Sequence, residues 1–190
     1  NDRMPPTRTP GLGYLVPFVL VHVGAVAALV QGATRTGVVL CAAVFTLQGF
    51  GITAGYHRYF AHRSFRTSRA FQLVLALLGT IAVQKGVLWW VAIHRRHHRH
   101  TDGPLDPHSP RDGVVWSHVG WFLSKDFEVT ERRRVRDLAV HPELVWLDRH
   151  WLVTPIAIAL ACLAWGGPSA LYFGFFGSLV AAWHATYLVN

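Results

Sequence analysis

Five histidines carry most of the chemistry that this sequence could perform, standing as His57-Arg-Tyr-Phe-Ala-His62 and His94-Arg-Arg-His97-His98. On an ideal helix advancing about 100° per residue, His97 lies about 60° to one side of His94 and His98 about 40° to the other, so one face offers three imidazoles. His57 and His62 are about 140° apart on such a helix and diverge. They converge only where the helix following Gly55 ends or distorts, and Arg63-Ser64 just beyond suits an end. Neutral imidazole binds Zn, Cu, Fe and Ni, so the residue type alone does not name a metal. The sequence has no HExxH word to supply a carboxylate base, which argues against a hydrolytic zinc site. Oxidation of hydrocarbon by histidine-bound iron fits better. His22, His100, His141 and His150 read as ordinary solvated or hydrogen-bonded histidines.

The elements that must position these residues are apolar. Of 190 residues, 52% are hydrophobic and 15% charged, against about 25% charged in a typical soluble domain. The charge is concentrated: 15 of 18 Lys and Arg, 9 of 10 Asp and Glu, and 10 of 12 His fall between Tyr56 and His150. Gly13–Gln31 holds nineteen uncharged residues and Val38–Gly55 eighteen, each near the ~20 that cross a bilayer core. Trp151–Gly167 and Ala170–Val189 repeat the pattern around the turn residues Gly166, Gly167 and Pro168.

The expected fold is therefore an all-α integral membrane protein of two transmembrane hairpins. Its four spans cover about 13–31, 38–55, 151–167 and 170–189. A cap over 56–150 holds the histidines, and the stretch 71–93, interrupted by Gln84 and Lys85, is expected as one helix lying at the interface. The arginine density of the cap puts it, and both termini, on the cytoplasmic side. The polar, proline-containing stretch Asn1–Pro10 does not resemble a signal peptide. Cys41 and Cys162 have no metal or disulfide spacing. The net charge of +8 needs no nucleic acid, because anionic headgroups attract basic residues flanking membrane helices.

Taken together, the words Gly51-Ile-Thr-Ala-Gly-Tyr-His57-Arg-Tyr-Phe-Ala-His62-Arg-Ser-Phe65, His94-Arg-Arg-His97-His98, Asp106-Pro-His108 and Ser117-His-Val-Gly-Trp121 resemble the membrane fatty acyl desaturases. The likeness is closest to the Δ9, stearoyl-CoA type branch and extends from about Leu12 to Asn190. It implies four transmembrane helices under a cytosolic cap, two irons held by histidines, and the use of O₂ and two electrons to make a cis double bond. Residue by residue, it implies His57, His62, His94, His97 and His98 as iron ligands, and Asn190 as a contact to one iron through water. Gln84, Trp90 and Thr186 match positions that bend the acyl tunnel beside the metals, and Lys125 keeps a cation where the family holds phosphate.

Two departures stand beside this. The family continues past the asparagine with a further ligand histidine and a third HxxHH box, so the 190 residues are expected to be part of a longer protein that supplies the remaining ligands; His108, His118 and His184 are the spare histidines here. Upstream of His94, the stearoyl-CoA type carries Arg-Asp against coenzyme A where this protein has Ala92-Ile93. That leaves acyl-CoA and acyl-lipid substrates both open.

A C–H bond in the middle of an alkyl tail has no acidity, so a metal-bound oxidant must act on it. Asp102 and Asp106 are candidates to orient the imidazoles by hydrogen bonding. The sequence has no dinucleotide fingerprint and no cysteine set for an iron–sulfur cluster. The resemblance implies instead a cytochrome b5-type or ferredoxin donor with its reductase, docked on the basic surface around Arg132–Arg136. The alternatives are a related hydroxylase or alkane oxygenase with the same ligand kit, and a non-catalytic histidine-rich metal-binding membrane protein.

Overall fold

The computed structural model describes residues 8–188. Among them the regular elements are all helical, with one isolated bridge between Pro10 and Ser124. Helix α1 spans Leu12–Gln31. Helix α2, Arg35–Phe50, starts at Thr34, whose hydroxyl accepts the Gly37 N–H at 3.1 Å. It runs without interruption into a π-helical segment, Gly51–Ala61. Helices α3 (Arg69–Thr80) and α4 (Val87–His100) follow, then short turns and α5 (Pro142–Arg149). Last come α6 (Val153–Ala170), a second π-helical segment Leu171–Gly177, and α7 (Ser178–Leu188).

Among the described residues, three helical runs are long and apolar enough to cross a membrane: Leu12–Gln31, Arg35–Ala61 and Val153–Tyr187. The last is 35 residues long but is not straight. At Gly167 the backbone turns to φ 67° and ψ −162°, a conformation that favours glycine. Beyond it the backbone folds back, so that a Cβ at Gly174 would stand 3.4 Å from Cys162 Sγ. The outer faces are greasy: Leu29 and Val30 are 75% and 83% exposed, and Leu160 and Trp165 60% and 80%. Apolar patches of that extent suit a lipid environment.

The π-helical segment owes its packing to small residues. A Cβ on Gly51 would lie 2.3 Å from the Leu78 carbonyl oxygen and one on Gly55 2.9 Å from that of Leu75, so the backbone rests directly on α3. Tyr56, Phe60, Leu75, Val87, Val91, Leu144 and Leu147 form the core on this side, all at most 1% exposed. A second core of Trp89, Ile93, Trp121, Phe175, Leu179 and Trp183 joins α4 to the 153–188 hairpin.

The single helix expected over 71–93 is corrected to α3 and α4 separated by a break at 81–86, where Val83 and Lys85 take φ of 54° and 64°. Tertiary partners offset the backbone bonds lost there. Trp183 Nε1 donates to the Ala82 carbonyl at 2.7 Å and the Tyr56 hydroxyl to that of Lys85 at 3.3 Å. The Lys85 ammonium donates to the carbonyls of Phe127 and Glu128 and sits 4.3 Å from the rings of both Tyr14 and Trp89. Burial pushes its pKa down to about 8, against the pull of Glu128 and Asp148.

Candidate metal centre

The first histidine pair rides on the π-helical segment, and that is what brings it together. Bonding of the i→i+5 type, seen as His62 N–H donating to the His57 carbonyl at 3.0 Å, stacks residues five apart on one face. The distortion that the spacing required thus exists as a specific helix type. The second set rides on α4, whose first turn is capped from a distance. Asp148 Oδ1, on α5, accepts the N–H groups of both Leu88 and Trp89 at 3.0 Å. Arg95 then ties α4 to the end of the π segment. Its guanidinium donates to Asp137 at 2.8 and 3.0 Å and to the Phe60 carbonyl at 3.1 Å, and Arg63 pairs with the same Asp137.

Four imidazoles meet as a result. The ligand nitrogens of His57, His62, His94 and His98 all lie within 4.8 Å of one another. The Nε2 of His62 is 3.1 Å from those of His57 and His94, and His98 Nε2 is 3.0 Å from His94 Nε2. Ligand nitrogens about 2.1 Å from a shared first-row cation, at right angles to each other, stand about 3.0 Å apart. The rings are set edge to face, at 69° for His57–His62 and 88° for His62–His98, so their lone pairs can aim at one point. Burial, and then the neighbouring imidazoles, push His94 down to about 2, and the same causes lower His98. Their lone pairs are therefore available at neutral pH. The donor set fits a histidine-bound iron.

His97 stands apart from these four, grouped with Asp106 and His108. Its Nδ1 donates to the buried Asp106 Oδ1 at 2.9 Å, which leaves Nε2 as its bare nitrogen. Burial alone would raise the Asp106 carboxyl, but the bonds from His97 and from the Asp102 and His108 N–H groups outweigh it and hold the pKa below the ordinary range. Asp102 contributes that backbone N–H rather than its carboxylate. His108 lies flat against His97, with centroids 4.3 Å apart and planes at 25°. One ligand atom each from His97, Asp106 and His108 lies within 4.8 Å of the others. Burial, and then His97, push His108 down to about 4.

An apolar cavity of about 360 Å³ opens beside the imidazoles, walled by Ile52, Trp89, Trp90, Ile93, Trp121 and Tyr187. Gln84 and Thr186 also line it and are joined: Gln84 Nε2 donates to Thr186 Oγ1 at 2.9 Å, and Trp90 Nε1 donates to Gln84 Oε1 at 3.0 Å. Trp90 in turn stacks on His94 at 4.8 Å. The structure thus brings Gln84, Trp90 and Thr186 to the wall of this cavity, beside the imidazoles. It leaves Lys125 exposed on a turn, away from the cavity lining, and Asn190 lies outside the described residues. Trp121 and His108 stand in words quoted above, but their packing here, like that of Tyr187, was not read from the sequence. Ala92 and Ile93 are buried, 1% and 5% exposed, and present no headgroup contact.

A family model described as fatty acid desaturase matches residues 33–190. The protein is 37% identical to an sn-1 stearoyl-lipid 9-desaturase of Anabaena variabilis, over 91% of its own length and 65% of that relative. It is 39% identical to an sn-2 palmitoyl-lipid 9-desaturase of Nostoc, over 74% of its own length and 51% of that relative. It is also 36% identical to a probable acyl-CoA desaturase of Schizosaccharomyces pombe, over 77% and 32% respectively. The 190 residues thus span between 32% and 65% of the length of these relatives.

Proposed function

The protein belongs to the fatty acid desaturase family, and on that premise we propose that it introduces a cis double bond, at the Δ9 position, into a saturated acyl chain within a membrane. The carrying observation is the group of four converging imidazoles, His57, His62, His94 and His98, beside an apolar slot. These four would hold one iron, while His97, with Nε2 bare and Nδ1 held by Asp106, would hold a second with Asn190 contributing through water. When bound, the iron pair with O₂ and two electrons supplies the oxidising power to remove two hydrogens from an unactivated C–C segment. The protein's own residues do the rest. Ile52, Trp89, Ile93 and Trp121 exclude water and grip the alkyl tail, and the Trp90–Gln84–Thr186 hydrogen bonds hold the wall where the slot bends. Holding one C–C bond against the oxidant in this way contributes several kcal/mol of barrier lowering, on the order of that available from proximity.

We place the acyl group on a lipid. Burial of Ala92 and Ile93, at the positions where the CoA type carries charge, supports that carrier, as do the acyl-lipid names of the first two relatives; on this reading Lys125 faces headgroup phosphate. The fold reads as four spans, counting the Gly167 fold-back as two, with α3 at the interface and the histidines on the cytoplasmic face. Arg95, Arg99, Arg133, Arg134 and Arg136 surround a separate polar pocket of about 360 Å³ that suits an acidic electron donor, a ferredoxin or cytochrome b5-type protein with its reductase. Expression of the full-length protein with a donor, gas chromatography of cellular fatty acids and metal analysis test this reading. A new Δ9 monounsaturated acid with about two irons per protein molecule is expected. Bound zinc with unchanged lipids overturns it.

A further inference from the structure

Three histidines outside the metal centre meet where α1, the 116–120 turn and α7 touch. His22 Nδ1 lies 2.8 Å from the Phe18 carbonyl oxygen, His22 Nε2 3.0 Å from His184 Nε2, and His184 Nδ1 2.8 Å from His118 Nε2. A carbonyl only accepts, so His22 donates from Nδ1 and its neutral ring presents a bare Nε2. His184 must then donate from Nε2, which leaves its own Nδ1 bare to accept from His118 Nε2. The Nδ1 of His118 is left bare as well, and it is buried without a hydrogen-bond partner. In the neutral form of the three rings, one backbone carbonyl thereby sets the tautomers along the row. His184 spends one nitrogen on each neighbour, so the row is a strut rather than a converging ligand set.

The strut bears on α7 on the side away from Thr186. His184 and Thr186, two residues apart, leave the helix about 160° from each other. On the cavity side Thr186 is held by Gln84, and through it by Trp90 and His94. Tyr187 lines the same cavity and stacks on Phe122 at 4.8 Å. The helix that carries two wall residues is thus held at Thr186 on one side and at His184 on another.

We propose that His184 is a positioning residue that determines specificity. Tied to α1 and to the 116–120 turn, it sets the depth of α7 and so which C–C bond of the substrate the Thr186–Tyr187 wall presents to the four imidazoles. This rests on the desaturase reading above. A slip of one residue's rise, about 1.5 Å, is comparable with the repeat of an extended alkyl tail, so slack in α7 reads out as a displaced double bond.

The test uses the full-length protein expressed in a host without Δ9 activity, with double-bond positions read by mass spectrometry of derivatised fatty acids. His184→Leu removes both hydrogen bonds; His184→Asn keeps an acceptor and a donor on one planar group. His184→Leu is expected to raise the share of positional isomers at least fivefold at unchanged bound iron, and His184→Asn to return it to within twofold of the original. An unchanged isomer ratio in His184→Leu, whatever the yield, overturns the proposal. Should that variant not accumulate, the ratio in His118→Phe, which keeps the bulk and loses the donor, decides in the same way. The tautomers are read without turnover by ¹⁵N NMR of the histidine-labelled full-length protein in lipid nanodiscs. Protons on His22 Nδ1 and His184 Nε2 are expected, and a proton on His184 Nδ1 overturns the strut. A protein with that tautomer pattern but no unsaturated product overturns the desaturase reading and takes the specificity role with it.

Discussion

Two imidazole clusters sit in this protein at nearly the same nitrogen–nitrogen distances, 3.0–3.1 Å in one and 2.8–3.0 Å in the other, yet they are built for different work. In the group of His57, His62, His94 and His98, the Nε2 atoms face one another; those of His62 and His94 each face two others, and among the described residues no carbonyl sets a donor order. In the row of His22, His184 and His118, each contact uses a different pairing of ring nitrogens and a carbonyl anchors one end. Convergence makes a candidate cation site, whereas alternation of donor and acceptor makes a hydrogen-bonded strut. His97 and His108 show a third arrangement, with their rings flat on one another and His97 Nδ1 held by Asp106. Ring orientation, which the supporting helices control, decides among the three.

The most severe way to break this comparison is to remove the central nitrogen. His94→Ala deletes the ring that contacts His62 and His98 and stacks on Trp90, and bound iron by mass spectrometry should fall at least tenfold; retention of iron would mean that the four nitrogens do not form one site. A smaller effect is expected from Asp106→Ala, which frees the His97 ring: metal affinity should fall about 10–100-fold at the second position, seen by titration, with the first position still filled. Asp148→Ala leaves the Leu88 and Trp89 N–H groups without their acceptor, and should cost about 1–2 kcal/mol in thermal unfolding. The gentlest probe is pH. Burial alone would raise the Asp137 carboxyl, but its bonds to Arg95 and Arg63 hold it at about 2, below its ordinary 3.8. A carboxylate whose pKa is lower in the folded state stabilises above the ordinary value and loses that contribution as pH falls toward about 2. The melting difference between the original protein and Asp137→Asn should therefore be steady from pH 5 to 7 and shrink below about pH 4.

Much of the site was legible because local periodicity carried it. The HxxHH spacing is an α-helical pattern, α4 is an α-helix, and His94 and His98 share its face. The same spacing grouped His97 with them, but Asp106 and His108, which come from an irregular segment, decide how that ring is used. The HxxxxH pair was legible only as a demand for distortion. The π-helix that meets it depends on Gly51 and Gly55 lying against α3, a contact between elements. The break at 81–86 escaped pattern reading because its freed carbonyls find Trp183 and Tyr56, residues about 100 and 30 positions away in the sequence.

The sequence by itself determined which segments are apolar enough to enter lipid and which residue types are at hand to bind a metal, because hydropathy and side-chain chemistry are properties of single residues and short windows. Only the tertiary structure decided which imidazoles converge, which stack and which line up. A lone pair's direction depends on the helix type beneath it and on the partner at the ring's other nitrogen, and in His22, His118 and His184 those partners come from stretches up to 162 residues apart.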